Sequence, residues 1–377
     1  MKDIKMVDLV GQYEKIKPQV QSAVNNILDN AQFINGPDVT AFKNELATYL
    51  DVKHVIPCAN GTDALQIALM SLGLKSEDEV ILPSFTFIAT AEVIGLLGLK
   101  PVFVDCERDS FNISIKAIEA AITAKTKVIV PVHLYGQACD MEAILKVAKK
   151  YDLKVIEDNA QAIGSDYTFS NGKTVKAGTI GNIGCTSFFP SKNLGGYGDG
   201  GAIFTNDDKL ADKIQMIANH GQSKRYYHDL VGCNSRLDTI QAAILRIKLK
   251  ELDNYIDARR KAADYYDTHL SQIKGVTVPY RSEFSKHVFH QYTLQLADEI
   301  NRDELVDFLG KKGIPAMIYY PVPAHQQKMF AFIGSSYGSM VNTDWLTSRV
   351  VSLPMHTELD EEQLKFICKS IKEFVEK

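Results

Sequence analysis

One lysine, Lys192, stands in the stretch Ser187-Phe188-Phe189-Pro190-Ser191-Lys192-Asn193-Leu194-Gly195-Gly196-Tyr197-Gly198-Asp199-Gly200-Gly201, a polar, glycine-dense loop just after an apolar run. Glycines let a backbone fold tightly around a small anionic ligand. A confined amine that stays partly neutral is what Schiff-base chemistry with a carbonyl requires, together with a cofactor that can absorb electrons. A P-loop is excluded by residue order: Ser191 precedes the lysine, Asn193 follows it, and the glycines lie downstream. Most lysines are simply solvated, so the remainder of the chain must decide whether this one is a covalent catalyst.

Three other stretches carry chemistry. In Asn60-Gly61-Thr62-Asp63 an apolar run gives way to helical periodicity at the Gly-Thr pair. The exposed N–H groups and positive dipole end of that helix form a phosphate site to which Thr62 adds a hydroxyl; plain N-capping by Thr62 or Asp63 is an equal reading. Asp158, in Glu157-Asp158-Asn159-Ala160-Gln161, ends a buried strand where a carboxylate is poorly solvated. It faces a cation, such as a protonated pyridine nitrogen, or it caps the next helix. Phe87 or Phe85 would stack on a flat ring or belong to the core, and Tyr319-Tyr320-Pro321-Val322-Pro323 lines a pocket or forms a proline-stiffened turn.

The elements that must position these residues follow from periodicity. Helices are expected over about 13–28, as an entry arm, over 39–50 and from Ala64 to Leu72. Continuous apolar runs at Val80–Leu82, Pro101–Val104, Val128–Val132 and Val155–Ile156 alternate with helix-length segments, which indicates a mostly parallel sheet covered on both faces. Ligands gather at the carboxyl ends of such strands, where Ser84–Phe87, His133–Gly136 and Glu157–Gln161 lie. A strand at Ala202–Phe204, a helix over 209–219 and one long helix after Asp238, carrying Ile240 to Ile256, come next. Beyond about Ser271 the pattern is that of a small α+β region, with strands at Val288–Leu296 and Ala316–Tyr320 and helices at Asn301–Leu309 and Leu364–Val375. The division expected is a large domain over 1–250 and a small C-terminal domain over 251–377.

Composition narrows the partners. The chain has 377 residues and a formal charge of -4, enough for a sizeable core and without the basic excess of a nucleic-acid binder. Its six cysteines are scattered without Cys-x-x-Cys spacing, and its nine histidines show no His-x-x-x-His pattern, so reduced thiols and no metal site are expected. No apolar signal region follows Met1–Lys5, and the most apolar window, Phe85–Leu99, is short and broken by Glu92. A cytoplasmic protein without membrane segments is the expectation.

Taken together, Asn60-Gly61-Thr62-Asp63-Ala64, Glu157-Asp158-Asn159-Ala160-Gln161, the Ser187–Gly201 loop and Asn234-Ser235-Arg236 resemble the DegT-type nucleotide-sugar aminotransferases. The resemblance runs from Gly36-Pro37 to Ser352-Leu353-Pro354-Met355-His356. It implies an α/β, fold type I aminotransferase with a mostly parallel sheet of the seven-stranded type between helices, plus a small C-terminal α+β domain. It also implies pyridoxal 5'-phosphate, passing through pyridoxamine phosphate, as cofactor. Lys192 would hold it as a Schiff base and shuttle protons, Asp158 would pair with the pyridine nitrogen, and Gln161 would bond the ring hydroxyl. Gly61, Thr62 and Ser187 would bind the phosphate, and Phe87 would pack on the ring. Asn234 would reach the cofactor of a neighbouring subunit, making the active unit a homodimer.

Ser187–Lys192, His220-Gly221-Gln222 and Tyr320–Pro323 are most similar to enzymes that aminate C3 of a keto sugar with glutamate as donor, above all UDP-2-acetamido-2-deoxy-3-oxo-glucuronate in lipopolysaccharide and O-antigen synthesis. Arg236 would then clamp the uronate carboxylate, with Tyr319 and Tyr320 as further substrate contacts. Two positions depart from the pattern: Asn159, where alanine is usual, and Tyr319, where histidine is expected. A dTDP-3-keto-6-deoxyhexose is the alternative substrate. Sugar dehydration and a non-enzymatic regulatory role are the other classes; the retained lysine argues against the dehydratases, which carry histidine in its place.

Overall fold

The computed structural model describes residues 2–333 and 336–376. Its centre is an eight-stranded sheet in the order His54–Cys58, Gly201–Thr205, Ile183–Ser187, Lys154–Asp158, Thr126–Ile129, Glu79–Pro83, Lys100–Val104, Ser336–Tyr337. Only Gly201–Thr205 runs against its neighbours; the other pairings are parallel. The two-residue strand Ser336–Tyr337 adds an edge beyond the seven strands expected.

The continuous apolar runs are explained by burial on both faces. Val80 and Leu82 pack with the helices Gly61–Ser71, Ala89–Leu96 and Asp208–Ala218, while Ile81 between them packs with Ile115–Ala121 and Met141–Tyr151. The N-terminal helices Leu9–Asn30 and Pro37–Leu50 lie against Thr239–Leu249. A second, three-stranded antiparallel sheet, Val276–Thr277, Tyr292–Leu296 and Val350–Leu353, shares a core with the helices Leu252–Leu270, Arg302–Lys311 and Glu361–Val375. The last of these begins with a reciprocal capping box between Asp360 and Gln363. Among the described residues no helix is long and apolar enough to cross a membrane.

Three expectations change. The long helix after Asp238 is two, Thr239–Leu249 and Leu252–Leu270, broken where Glu251 N–H turns back to the Lys248 carbonyl. The strand expected from Val288 begins only at Tyr292, because backbone groups upstream bond the large sheet's loops: Val288 N–H to the Gly136 carbonyl, Gln291 N–H to that of Tyr135. Ala316–Tyr320 is not a strand. Met317 alone pairs, with Ser352, and the chain beyond turns over the sheet, where Pro321 and Pro323 have no N–H to continue a ladder.

Candidate active site

Lys192, Asp158, Gly61, Thr62, Phe87, Gln161, Ser187, Tyr319 and Tyr320 line one cavity of about 740 Å³ at the carboxyl ends of the parallel strands. Seven of these nine come from the large sheet's strand ends and the loops or helices that follow them, and Tyr319 and Tyr320 come from a segment that turns over the sheet. Lys192 follows a turn in which its own N–H bonds the Phe189 carbonyl at 2.8 Å. Burial lowers its amine to about 8, against the opposing pull of Asp158. A fraction of the amine is therefore neutral near neutral pH.

Asp158 is 5% exposed at the tip of its strand. Thr90 Oγ1 donates to one carboxylate oxygen at 2.8 Å and Ala160 N–H to the other at 3.1 Å. Burial raises its pKa, while Thr90, Ala160, Lys192 and His133 oppose that rise. No α-helix follows it, so the capping reading fails. Two donors leave acceptor capacity on a buried carboxylate that faces the cavity, which suits a cationic ring nitrogen.

Behind it, Glu157 is fully buried and accepts from His133 Nε2 at 2.8 Å and from the N–H groups of Gly178, Ile180 and Gly181 at 2.8, 2.6 and 2.6 Å. His133 Nδ1 accepts from Cys139 N–H at 3.1 Å, which fixes its proton on the nitrogen facing Glu157. This pair stiffens the strand end that carries Asp158.

At the other end of the cavity the helix Gly61–Ser71 begins. Its cap is Asn60, whose side chain accepts from Asp63 N–H at 2.8 Å, so neither Thr62 nor Asp63 caps it. Thr62 keeps its hydroxyl for the cavity, and Asp63 accepts from Ser235 Oγ at 2.6 Å. A Cβ on Gly61 would stand 2.7 Å from that of Ser187. Helix start and Ser187 are thus pressed together into an anion-binding corner. Gly61→Ala is expected to lower retention of a phosphorylated cofactor by about tenfold or more, the fold-equivalent of about 1.4 kcal/mol, as read by dialysis and absorbance.

Gln161 Oε1 accepts Tyr135 N–H at 2.8 Å, and Nε2 donates to Tyr320 Oη at 3.1 Å. Phe87, not Phe85, is the ring at the cavity: it is 53% exposed, whereas Phe85 is buried against Phe111, Tyr135 and Tyr320. Asn234 and Arg236 stand elsewhere in the chain's own fold. Asn234 is exposed and bridged to Asn219, and Arg236 lines a separate hollow with Asn35, Lys43 and Gln215.

Sequence reasoning missed Thr90, Asn60, His290 and Gln291. The last two line the cavity with His290 Nδ1 and Gln291 Oε1 unpartnered, and no local pattern marks them. Asn159 is fully buried with neither amide atom bonded, its side chain against Gly178. Orphaned polar atoms of this kind cost about 1–3 kcal/mol. Asn159→Ala is therefore expected to raise the denaturation midpoint without lowering turnover, measured by urea unfolding.

The arrangement, an amine of lowered pKa facing a buried carboxylate with an anion corner beyond, matches what sequence comparison finds. Residues 14–372 match the DegT/DnrJ/EryC1/StrS aminotransferase family. The chain belongs to this family. It is 44% identical, over 98% of its length and 99% of the relative's, to UDP-2-acetamido-2-deoxy-3-oxo-D-glucuronate aminotransferase of Pseudomonas aeruginosa. It is 46% identical, over 99% and 98%, to the pleiotropic regulatory protein of Geobacillus stearothermophilus. Among solved structures, NtdA of Bacillus subtilis with bound cofactor PMP superposes with a TM-score of 0.88 at 32% identity, covering 96% of this chain and 82% of that one. The fold is that of these α/β aminotransferases, and the protein is an aminotransferase.

Proposed function

We propose that this aminotransferase uses pyridoxal 5'-phosphate to move the amino group of glutamate to C3 of a nucleotide-linked 3-keto sugar, UDP-2-acetamido-2-deoxy-3-oxo-glucuronate first among them. The observation that carries the reading is the cavity with Lys192 and Asp158 at one end and the Gly61 helix start with Ser187 at the other. The residues fit the cofactor: Asp158 offers a buried anion for the pyridinium, the Asn60-capped helix start and Ser187 offer donors for a phosphate, and Phe87 offers a ring face.

Pyridoxal phosphate supplies the electron sink. Lys192 Nζ would be the group that holds the cofactor covalently and, as a free amine, would move the proton at the donor's α-carbon. Asp158 keeps the ring nitrogen protonated, and Thr90 and Ala160 hold that carboxylate in line. Gln161, fixed by Tyr135, presents its Nε2 to the ring hydroxyl. Tyr319 and Tyr320 close the wall on the substrate side. Asn234 and Arg236 serve the cavity of a second copy, Asn234 at the phosphate and Arg236 at the uronate carboxylate, in a cytoplasmic homodimer. The two domains divide near Lys250 and Glu251, at the break between helices.

Purified protein with pyridoxal phosphate, scanned before and after glutamate, tests the reading. Conversion to the pyridoxamine form and return with the UDP-3-keto-uronate is the expected result. Return only with a dTDP-3-keto-6-deoxyhexose would replace the substrate. The name of the Geobacillus relative favours a second reading, a cofactor-binding regulator; it predicts a bound cofactor that glutamate does not convert.

The lowered amine gives a pH signature. Neutral Lys192 increases with pH up to its value of about 8 in the protein without cofactor. Below that pH, capture of pyridoxal phosphate should speed up about tenfold per pH unit, and above it should level off. A rate still climbing at pH 10, followed by stopped-flow absorbance, would contradict the lowered value.

A further inference from the structure

The wall that Tyr319 and Tyr320 place over the cavity belongs to no regular element, so its position depends on what fastens it. At one end the Tyr135 hydroxyl donates to the Tyr319 carbonyl and Gln161 Nε2 donates to Tyr320 Oη. At the other end three contacts fall on Ser84, beside a bond from Gln326 Nε2 to Asp344 Oδ1 at 3.0 Å. The Ser84 carbonyl accepts Ala324 N–H at 2.9 Å, the Ser84 Oγ accepts His325 N–H at 3.2 Å, and the same Oγ lies 2.7 Å from His325 Nδ1. Asp344 Oδ1, 3.7 Å from Nε2, draws the ring proton to that nitrogen, which leaves Nδ1 to accept the hydrogen of Ser84 Oγ. A neutral imidazole agrees with burial, which lowers the His325 pKa against the pull of Asp344 and Asp105.

Serine, histidine and aspartate in series suggest a nucleophile, and the geometry rules it out. Ser84 is 0% exposed, and neither Ser84 nor His325 lines the cavity. What Ser84 does touch is both walls. It directly follows the strand Glu79–Pro83 and leads into Thr86 and Phe87, which line one side; through Ala324 and His325 it holds the segment that carries Tyr319 and Tyr320 on the other. The Phe87 and Tyr320 rings stand 6.1 Å apart across this arrangement.

We propose that Ser84 and His325 form a positioning clamp that sets the width of the cavity between Phe87 and Tyr320 and thereby the fit of the keto-sugar substrate. The proposal rests on the aminotransferase reading above. A nucleotide sugar fills far more of the cavity than a five-carbon amino donor, so loosening the outer wall weakens the sugar much more than glutamate.

The test compares the holoenzyme with Ser84→Ala, His325→Ala, His325→Asn and His325→Gln, following each half-reaction separately by stopped-flow absorbance. Asparagine places an acceptor where Nδ1 stands; glutamine places it too far out. Both alanine variants and His325→Gln should bind UDP-2-acetamido-2-deoxy-3-oxo-glucuronate about tenfold more weakly, the loss of one net hydrogen bond, with the glutamate half-reaction within about threefold of wild type. His325→Asn should stay near wild type in both. Equal losses in the two half-reactions, no loss, or an asparagine variant as poor as the glutamine one would overturn the clamp. If the alanine variants do not fold, the asparagine and glutamine pair decides. A wild-type protein that glutamate does not convert would overturn the parent reading instead. Hydrogen exchange then decides the clamp: faster exchange over 319–325 in His325→Gln but not His325→Asn supports it, and equal exchange rejects it.

Discussion

Lys192→Ala is expected to abolish turnover, by about 10⁴-fold or more, while leaving the fold intact. The size follows from the two roles of one atom: nucleophilic attachment is lost, and proton transfer at the α-carbon, itself worth about 10²–10⁴-fold, is lost with it. The fold should survive because the lysine loop is held by other contacts. Phe188 N–H bonds the Gly200 carbonyl, Gly196 N–H bonds that of Phe188, and Asn193 Nδ2 donates to the Val288 carbonyl at 2.9 Å. Deleting an amine whose ionised form is disfavoured by burial leaves these untouched. The variant should therefore keep its melting temperature without cofactor and lose the absorbance band of bound cofactor. Residual turnover within about tenfold of wild type would remove Lys192 from the chemistry.

Asp158→Asn should come next, with turnover lowered by about 10²–10³-fold, the range for removing one preorganised electrostatic partner in a buried site. The change is isosteric. Ala160 N–H can still donate to the remaining oxygen while the Thr90 hydroxyl turns to accept from the new amide, so the strand end keeps its shape. What goes is the negative charge that holds a ring nitrogen protonated. Burial raises the carboxyl pKa, and the donors around it work to keep it ionised; an amide has no ionised form to keep. Cofactor should remain bound through its phosphate end, so the loss should appear in kcat with retention nearly unchanged. A loss confined to cofactor retention would mean that Asp158 anchors rather than activates.

Both residues were legible in the sequence because each announces itself locally: a lysine among glycines after an apolar run, and an aspartate at the tip of a buried strand. Gly61 was legible for the same reason. The cap beside it was misread because Asn60, Thr62 and Asp63 are all capping residue types, and only the geometry shows that Asn60 takes the role. Thr90 was invisible, since its bond to Asp158 spans 68 positions and is created by the neighbouring placement of a helix and a strand. Likewise His290 and Gln291 reach the cavity from the segment that leads into the second sheet. The break at Lys250 and Glu251 carries no glycine or proline, so periodicity ran through it. The segment Tyr319–Pro323 was read as either lining or turn, and it is both: its tyrosines line the cavity, and its prolines have no N–H for a ladder.

The reversed strand has a further implication. In a purely parallel sheet a crossover must follow each strand, and Lys192 would sit far from the next strand along the chain. Here Ile183–Ser187 and Gly201–Thr205 are antiparallel partners, with Ser187 directly opposite Gly201. The lysine loop is thus a closed lariat whose two feet stand on adjacent rungs. The arc beyond Gly196 is pinned by the Tyr197 N–H on Gln241 Oε1 at 2.8 Å, and a single residue added between Ser187 and Lys192 would carry the amine away from the phosphate corner. The near arc, from Ser187 to Lys192, is accordingly the part of the lariat whose length the site depends on most directly.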